Sequence, residues 1–112
     1  MSQITTHILN TSIGKPAAGV NVKLYEFSGS EERMIGEGVT DGDGRVRNLL
    51  DSRILAKGQY KLHFETGTYF REMECESFYP FIDIVFAIAG DGQHYHVPLL
   101  LNPFGYSTYR GS

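Results

Sequence analysis

Apolar and polar residues alternate along most of this 112-residue chain, in short segments that end at turn residues. Residues 20–27 show the clearest alternation, and a period of two is typical of a β-strand with one buried face. Residues 81–89 are apolar on both faces, which predicts a central strand. The segments predicted as strands are residues 3–9, 20–27, 33–40, 45–50, 60–65 and 81–89, followed by a two-stranded hairpin at the end of the sequence.

The number and spacing of these strands indicate the fold class. Eight short strands in 112 residues predict an all-β sandwich, and residues 1–112 have the length of a single domain. Residues 14–16 are interpreted as a loop, and residues 68–73 could form the only short helix. The Asp-Gly-Asp-Gly run at residues 41–44 predicts a tight hairpin turn, because Asp-Gly steps tolerate positive φ.

Composition narrows the function classes. A net charge of −3 with no cluster of basic residues argues against nucleic-acid binding. Cys75 is the only cysteine, which excludes a disulfide framework and favours a reducing compartment. Residues 1–7 lack a signal-peptide pattern, and no window has the roughly 18 apolar residues that cross a bilayer. We therefore expect a small soluble cytoplasmic domain that binds neither nucleic acid nor membranes.

The final hairpin brings two histidines close to the last residues of the sequence. His94 and His96 share one face of the seventh strand, and the apolar residues at 95, 97, 99 and 101 occupy the other. A hairpin centred near Pro103 pairs residues whose numbers sum to about 205–207, so His96 is expected opposite Tyr109 or Gly111. Opposed Cβ atoms lie roughly 4.5–5.5 Å apart, so the imidazole and the last residues form a candidate site.

The His-x-His pair is also compatible with a metal site. A catalytic zinc needs three protein ligands and one open position, and His7 could be the third ligand beside His94 and His96. The acidic run at residues 41–44 imitates the start of a calcium loop, but it lacks the later glutamate and is interpreted as a turn. Cys75 has no paired motif and is interpreted as a packing residue.

Several motifs give the chain a resemblance to a known family. They are THILN at residues 6–10, GKPAAGV at 14–20, TDGDGR at 40–45, HYHVPLL at 94–100 and PFGYSTYRGS at 103–112. Together they resemble the signature of the 5-hydroxyisourate hydrolases, the transthyretin-related enzymes of purine catabolism. The resemblance covers essentially the whole chain, and the final YRGS is a specific motif that transthyretin itself lacks.

The resemblance implies a transthyretin-like sandwich of two four-stranded sheets, with one short helix after the fifth strand. It implies a homotetramer, a dimer of dimers, with active sites in a channel where the dimers meet. The implied reaction is hydrolysis of 5-hydroxyisourate to 2-oxo-4-hydroxy-4-carboxy-5-ureidoimidazoline in urate degradation, without a metal or other cofactor. The family's functional positions fall on His7, Arg45, His96, Tyr109, Arg110 and Ser112.

Each of these residue types suits a step of ring hydrolysis. His7 and His96 are expected to bracket the attacking water, one accepting its proton and the other orienting it, and the sequence does not decide which is the base. Arg45 would stabilise the negative charge that develops on a carbonyl or enolate-like oxygen. Tyr109 would hydrogen-bond or stack on the substrate ring, and Ser112 with its carboxylate would complete the proton network.

Strand alternation limits the part that Arg110 can play. Arg110 is counted among the substrate-binding residues together with His7, Arg45 and Tyr109. If Tyr109 shares a face with His96, however, the Arg110 side chain should point away from that face unless the strand bulges or frays.

Three other function classes stay open. A transthyretin-like carrier would bind a small aromatic ligand in the same channel, but His and Arg side chains suit it poorly. A zinc or copper protein would use His7, His94 and His96, and metal analysis of untagged protein would detect it. An adhesion or periplasmic module would need the signal peptide that residues 1–7 do not resemble.

Overall fold

The computed structural model describes residues 2–112, which form two four-stranded sheets and one short helix. The strands are β1 (Ile4–Asn10), β2 (Lys15–Pro16), β3 (Asn21–Ser28), β4 (Glu31–Val39), β5 (Gly58–Phe64), β6 (Ile82–Ile88), β7 (Tyr95–Asn102) and β8 (Gly105–Thr108), and helix α1 (Thr66–Glu72) follows β5. The first sheet has the order β2-β1-β7-β8 and the second β4-β3-β5-β6. The all-β sandwich with one short helix is confirmed.

The core lies between the two sheets because alternate residues of each strand point inwards. In β1, buried and half-buried residues alternate throughout, and Ile4 and Ile8 are fully buried. Leu62 of β5 and Leu99 of β7 are buried in the same cluster. Each such side chain contributes about 1.5–3 kcal/mol when it leaves water. Packing therefore occupies the inner faces, and polar side chains are left for the outer faces.

The fourth predicted strand, residues 45–50, is wrong. The chain turns here, and Arg45 makes one isolated bridge while Asn48 has a φ of 57°, which an extended strand does not contain. Leu49 is still buried, because the segment crosses β4 where a glycine leaves room for it. A Cβ at Gly36 would collide with the Leu49 carbonyl oxygen. The apolar residues that suggested a strand belong to a loop that covers the core.

One strand of the structure, β2, was not predicted. It lies within residues 14–16, which the sequence analysis interpreted as a loop. Lys15 and Pro16 pair with Asn10 and Leu9 at the edge of the first sheet. Proline lacks an N–H, which an edge strand tolerates. A strand of two residues has no detectable alternation, so the pattern could not indicate it.

The other predicted strands and the helix are present with ends shifted by a few residues. The prediction that residues 81–89 form a central strand is wrong, because β6 lies at the edge of the second sheet and one of its faces is largely exposed. Helix α1 is seven residues long, and within residues 2–112 no helix is long and apolar enough to cross a membrane. Tyr69 and Phe70 bury one side of the helix against the core.

The final hairpin has one of the two expected registers. Leu99 pairs with Thr108, so paired residue numbers sum to 207. β8 ends at Thr108, and beyond it an isolated bridge joins His96 and Gly111. Gly111, and not Tyr109, is therefore the residue opposite His96.

β1 and β7 run parallel in the middle of the first sheet. Thr5 pairs with His96, and His7 pairs with Pro98. Because paired residues share a face, these four residues all lie on the outer face of the sheet. Residues from the start and the end of the chain thus meet on one surface.

Residues 41–44 form a tight turn that docks on β1. The Gly44 N–H donates to the Asp41 carbonyl oxygen at 2.9 Å, and the Gly44 carbonyl oxygen accepts from the Ile8 N–H at 2.9 Å. Gly44 has a φ of 75°, and a Cβ there would collide with the Ile8 carbonyl oxygen and lie 3.3 Å from Cδ2 of His7. Glycine at position 44 therefore allows the turn to approach the histidine closely.

The variant Gly44→Ala is expected to lose about 1–3 kcal/mol of unfolding free energy, because positive φ and the collision with Ile8 both oppose a side chain. Gly42→Ala is the matched control, since a Cβ at Gly42 meets open space. Its unfolding free energy should change by less than about 0.5 kcal/mol. Urea denaturation at one protomer concentration measures both, and equal stability of the two variants would contradict the docking.

Candidate functional site

The candidate site lies on the outer face of the first sheet, where the middle strands carry imidazole side chains. His7 of β1 and His96 of β7 are both half-buried. Their neighbours Ile8 and Val97 point to the core, so the alternation of each strand fixes the direction of its histidine. The structure therefore brings together the two histidines that the sequence places 89 positions apart.

His96 is held by a hydroxyl group on the neighbouring strand. Its Nδ1 lies 2.8 Å from Oγ1 of Thr5. Burial lowers the pKa of His96 below its ordinary value, and charge interactions with Arg45, His94 and His7 lower it further. A hydrogen bond with the Thr5 backbone raises the pKa of His96 but does not reverse the shift. The imidazole is therefore uncharged at neutral pH and can accept a proton.

Arg45 reaches the site because the turn delivers it to β1. Its backbone forms a bridge with His7. The Asp41 carboxylate holds this segment, since Oδ1 accepts hydrogen bonds from the N–H groups of Arg45 at 3.2 Å and Asp43 at 2.9 Å. These bonds lower the pKa of Asp41, so the carboxylate stays ionised. The Arg45 side chain is exposed beside the histidines, where its charge acts on His96.

His94 stands at the solvent side of the same cluster. It is exposed, its Nε2 lies 2.9 Å from Oγ1 of Thr5, and its ring is stacked on His96 with 6.4 Å between centroids and 16° between planes. The Thr5 hydroxyl therefore lies between two imidazoles. Sequence reasoning missed Thr5, although a spacing of two residues from His7 placed it on the same strand face.

Gly111 brings the end of the sequence to His96. The Gly111 N–H donates to the His96 carbonyl oxygen at 2.8 Å. A Cβ at Gly111 would lie 2.5 Å from Cδ2 of His96 and 3.2 Å from Cγ of Pro98. The absence of a side chain thus lets this segment lie against the imidazole. Ser112 follows directly and is exposed.

Arg110 points away from the histidines. Its guanidinium lies 4.5 Å from the ring centroid of Tyr95, and its Nη2 donates to Oε1 of Gln93 at 2.9 Å. Tyr95 belongs to the inner face of β7, so Arg110 lies on the side that strand alternation requires. The structure does not bring the Arg110 side chain together with His7 and His96.

A cavity of about 170 Å³ adjoins the site between β6 and the final hairpin. It is mostly apolar and is lined by Ile84, Phe86, Ala87, Tyr95, Val97 and Thr108 together with His96, Tyr109 and Arg110. Tyr109 is 58% exposed and borders both the cavity and the outer surface. A planar ring bound near His96 could therefore contact Tyr109.

The histidines are arranged differently from a metal centre. His94 and His96 both direct a ring nitrogen at the Thr5 hydroxyl. Among residues 2–112, no group of three or more His, Cys, Asp or Glu side chains is placed to hold a metal ion.

Comparison with known proteins shows the family to which the chain is related. The HIUase/Transthyretin family model matches residues 4–111. The 5-hydroxyisourate hydrolase of Caulobacter vibrioides is 47% identical over 116 aligned positions that cover 100% of both chains. A structure of Klebsiella pneumoniae 5-hydroxyisourate hydrolase is 40% identical with a TM-score of 0.83, covering 97% of this chain and 98% of that one.

Transthyretin is similar in backbone and more distant in sequence. Sea bream transthyretin in complex with thyroxine has a TM-score of 0.92 and 29% identity, covering 98% of this chain and 95% of that one. The sandwich is therefore transthyretin-like, as the sequence motifs implied. This chain belongs to the HIUase/transthyretin family.

Proposed function

We propose that this protein hydrolyses 5-hydroxyisourate to 2-oxo-4-hydroxy-4-carboxy-5-ureidoimidazoline, a step of urate degradation. The observation that carries the proposal is the convergence of an uncharged imidazole, a second imidazole and a guanidinium on one sheet face. These groups belong to His96, His7 and Arg45. Relatives named 5-hydroxyisourate hydrolase, similar over nearly the whole chain, support the same reaction.

The chemical groups of the product indicate which bond is hydrolysed and which proton transfers are needed. The product carries a carboxyl and a ureido group, so water must add to a carbonyl carbon and an amide C–N bond must break. His96 takes the proton of the attacking water, because its pKa keeps the imidazole uncharged at neutral pH. The proton then passes to the nitrogen that leaves the carbonyl carbon. His7, on the adjacent strand, orients the water.

Arg45 supplies positive charge where negative charge develops. The carbonyl oxygen becomes an oxyanion when water adds, and a fixed guanidinium stabilises it more than it stabilises the neutral substrate. The Asp41 hydrogen bonds to the backbone keep the base of this side chain in place. The arginine therefore contributes mainly to the transition state.

The last residues position the substrate in this proposal. Tyr109 stacks on or hydrogen-bonds to the planar ring, and its exposure beside the cavity supports that role. Ser112, next to Gly111, contributes a hydroxyl to the proton network. A substrate contact by Arg110 would require its guanidinium to leave Tyr95 and Gln93.

Replacing His96 by alanine, or deleting residues 109–112, is expected to reduce turnover by about 10²–10⁴-fold, the usual contribution of a positioned general base. The assay follows the decay of 5-hydroxyisourate freshly made with urate oxidase, after subtraction of spontaneous decay. His63→Gln is the control, because His63 lies on β5 of the other sheet and contacts Asp83 and Glu65. It should retain turnover. Near-normal turnover in either site variant would exclude the assignment, and circular dichroism verifies that each is folded.

The pH dependence is expected to follow His96. Its lowered pKa places the acidic midpoint of the kcat/KM profile below the ordinary value of 6.5. Arg45→Gln removes a positive charge that lowers this pKa, so the midpoint should rise towards 6.5 while activity falls. Arg47→Gln is the matched control, since Arg47 pairs with Asp41 at 3.4 Å. Its midpoint should not move.

The same shift links stability to pH. Below pH 6.5 the unfolded chain binds a proton at His96 before the folded chain does, so unfolding free energy should fall as the pH falls through this window. For the kinetic prediction, an acidic midpoint of the kcat/KM profile at or above pH 6.5 in the unmodified protein would contradict the role of His96 as base.

A carrier of small aromatic ligands is the second candidate function. The TM-score of 0.92 to transthyretin bound to thyroxine favours it on shape. The charged and imidazole groups of the site favour hydrolysis, because a passive apolar pocket gains nothing from them. Failure of the protein to accelerate 5-hydroxyisourate decay would leave the carrier as the better proposal.

We also propose a homotetramer, a dimer of dimers, whose active sites lie where the dimers meet. β6 and β8 each end a sheet of residues 2–112 with one unpaired edge, which a second copy can extend. Leu9 and Leu100 are paired neighbours on the outer face beside the histidines, and both are only half-buried. A second dimer could cover this apolar area and enclose the site.

Sedimentation analysis tests the assembly. The native protein is expected to sediment with the mass of four chains. Leu100→Glu should give dimers with reduced turnover, because a carboxylate in the covered surface would lose its hydration. An active wild-type monomer would contradict the tetramer.

We also propose that the protein is located in the cytoplasm. The single cysteine, Cys75, is free in the structure, which suits a reducing compartment.

A further inference from the structure

We propose that Thr5 is a positioning residue that fixes which ring nitrogen of His96 carries the proton, with His94 as the other end of the same hydrogen-bonded chain. This inference rests on the proposed hydrolase function. It assigns roles to two residues that the proposed mechanism above does not use.

The geometry allows one hydroxyl to bind both imidazoles. Oγ1 of Thr5 lies 2.8 Å from Nδ1 of His96 and 2.9 Å from Nε2 of His94. The parallel pairing of β1 with β7 sets Thr5 directly beside His96, and the stacked rings approach it from one strand. Both distances are those of ordinary hydrogen bonds.

The number of protons that these three groups share limits which ring nitrogen of His96 can be protonated. A threonine hydroxyl donates one hydrogen bond, and an uncharged imidazole carries one N–H. If Thr5 donates to Nε2 of His94, its oxygen can accept the N–H of His96 Nδ1. Nε2 of His96 is then unprotonated and can accept a proton from water. The reverse arrangement places the proton on Nε2 and removes the base.

The first arrangement requires that Nε2 of His94 carries no proton, because the Thr5 hydroxyl donates to it. His94 is exposed to solvent. If Nε2 of His94 carries a proton, it donates to Oγ1 of Thr5, and the Thr5 hydroxyl is then free to donate to Nδ1 of His96, which would place the His96 proton on Nε2. The other charged or titratable groups that act on His96 are Arg45 from the turn and His7 from β1. Neither contacts Thr5 through a hydrogen bond within residues 2–112.

The proposed role of Thr5 differs from that of a residue that binds the substrate. Thr5 acts through His96, so its loss should lower kcat and leave KM nearly unchanged. A purely structural threonine would instead affect stability. Its neighbour Thr6 provides the comparison, because the Thr6 hydroxyl donates to the Val97 carbonyl oxygen at 2.6 Å on the core face of the same strand.

The test combines steady-state kinetics with NMR of the ring nitrogens in protein labelled with ¹⁵N-histidine. The signals of His96 are assigned as those that are missing from the spectrum of the His96→Gln variant. At pH 8 the wild-type protein should have Nδ1 of His96 protonated and Nε2 unprotonated. Thr5→Val keeps the size and removes the hydroxyl. It should shift the proton towards Nε2 and lower kcat about tenfold, a fraction of what a general base supplies. Thr5→Ser should restore both readouts.

Thr6→Val is the matched control and should leave the His96 tautomer and kcat unchanged while lowering stability. Wild-type protein protonated at Nε2, or a Thr5→Val variant with wild-type tautomer and kcat, would overturn the proposal. If Thr6→Val does not fold, the comparison of Thr5→Val with Thr5→Ser still decides the outcome. Absence of wild-type turnover would refute the hydrolase function, and the NMR result would still judge the role of Thr5.

Discussion

The parallel pairing of β1 with β7 is the constraint on which the site depends. Its register sets Thr5 beside His96 and His7 beside Pro98, and all four lie on the outer face. A slip of one residue would send one set of side chains into the core and expose Ile8 or Val97 instead. The buried residues of both strands resist that slip, so hydrophobic packing fixes the direction of the histidines. The inner face of this strand pair thus contributes to the core, and its outer face carries the candidate site.

Arg45 enters the site by a separate and more local device. The turn at residues 41–44 uses an ionised aspartate to hold backbone N–H groups and a glycine to approach β1. This arrangement brings a cation beside His7 without any strand at residues 45–50. Positive charge next to an imidazole keeps the imidazole uncharged, so the same guanidinium can support the base and stabilise the oxyanion. Electrostatics and geometry thus act in the same direction at this site.

Much of the fold could be predicted from the sequence because strand alternation is a local signal. Residues 20–27 and the final hairpin are the best examples, and the hairpin arithmetic gave His96 and Gly111 as possible partners. Residues 45–50 could not be read correctly, because a covered loop and a strand can bury the same apolar residues. Lys15 and Pro16 are too few to show a period. The error at residues 45–50 concerns a segment whose structure is set by contacts elsewhere in the chain, such as that of Leu49 with Gly36.

The site was less accessible to local reasoning than the fold. His7 and Arg45 looked ordinary in their own segments, and the family resemblance, rather than spacing, drew attention to them. Thr5 carried no signal beyond its spacing from His7, because its partners follow it by about 90 positions. The direction of Arg110 could be predicted, because alternation along one strand is local. What one strand or one hairpin determines can be read from the sequence, and what two strands far apart in the sequence determine together cannot.

The short last strand has a consequence for the energy landscape of the protein. β8 has four residues, pairs only with β7, and is followed by one bridge at Gly111. Such a segment can open locally at a lower free energy than the sandwich needs to unfold. The part of the chain that carries Tyr109 and Ser112 is then a weakly protected unit of the fold. Pairing of its free edge with another copy would raise the cost of opening, so the order of the site would depend on protomer concentration.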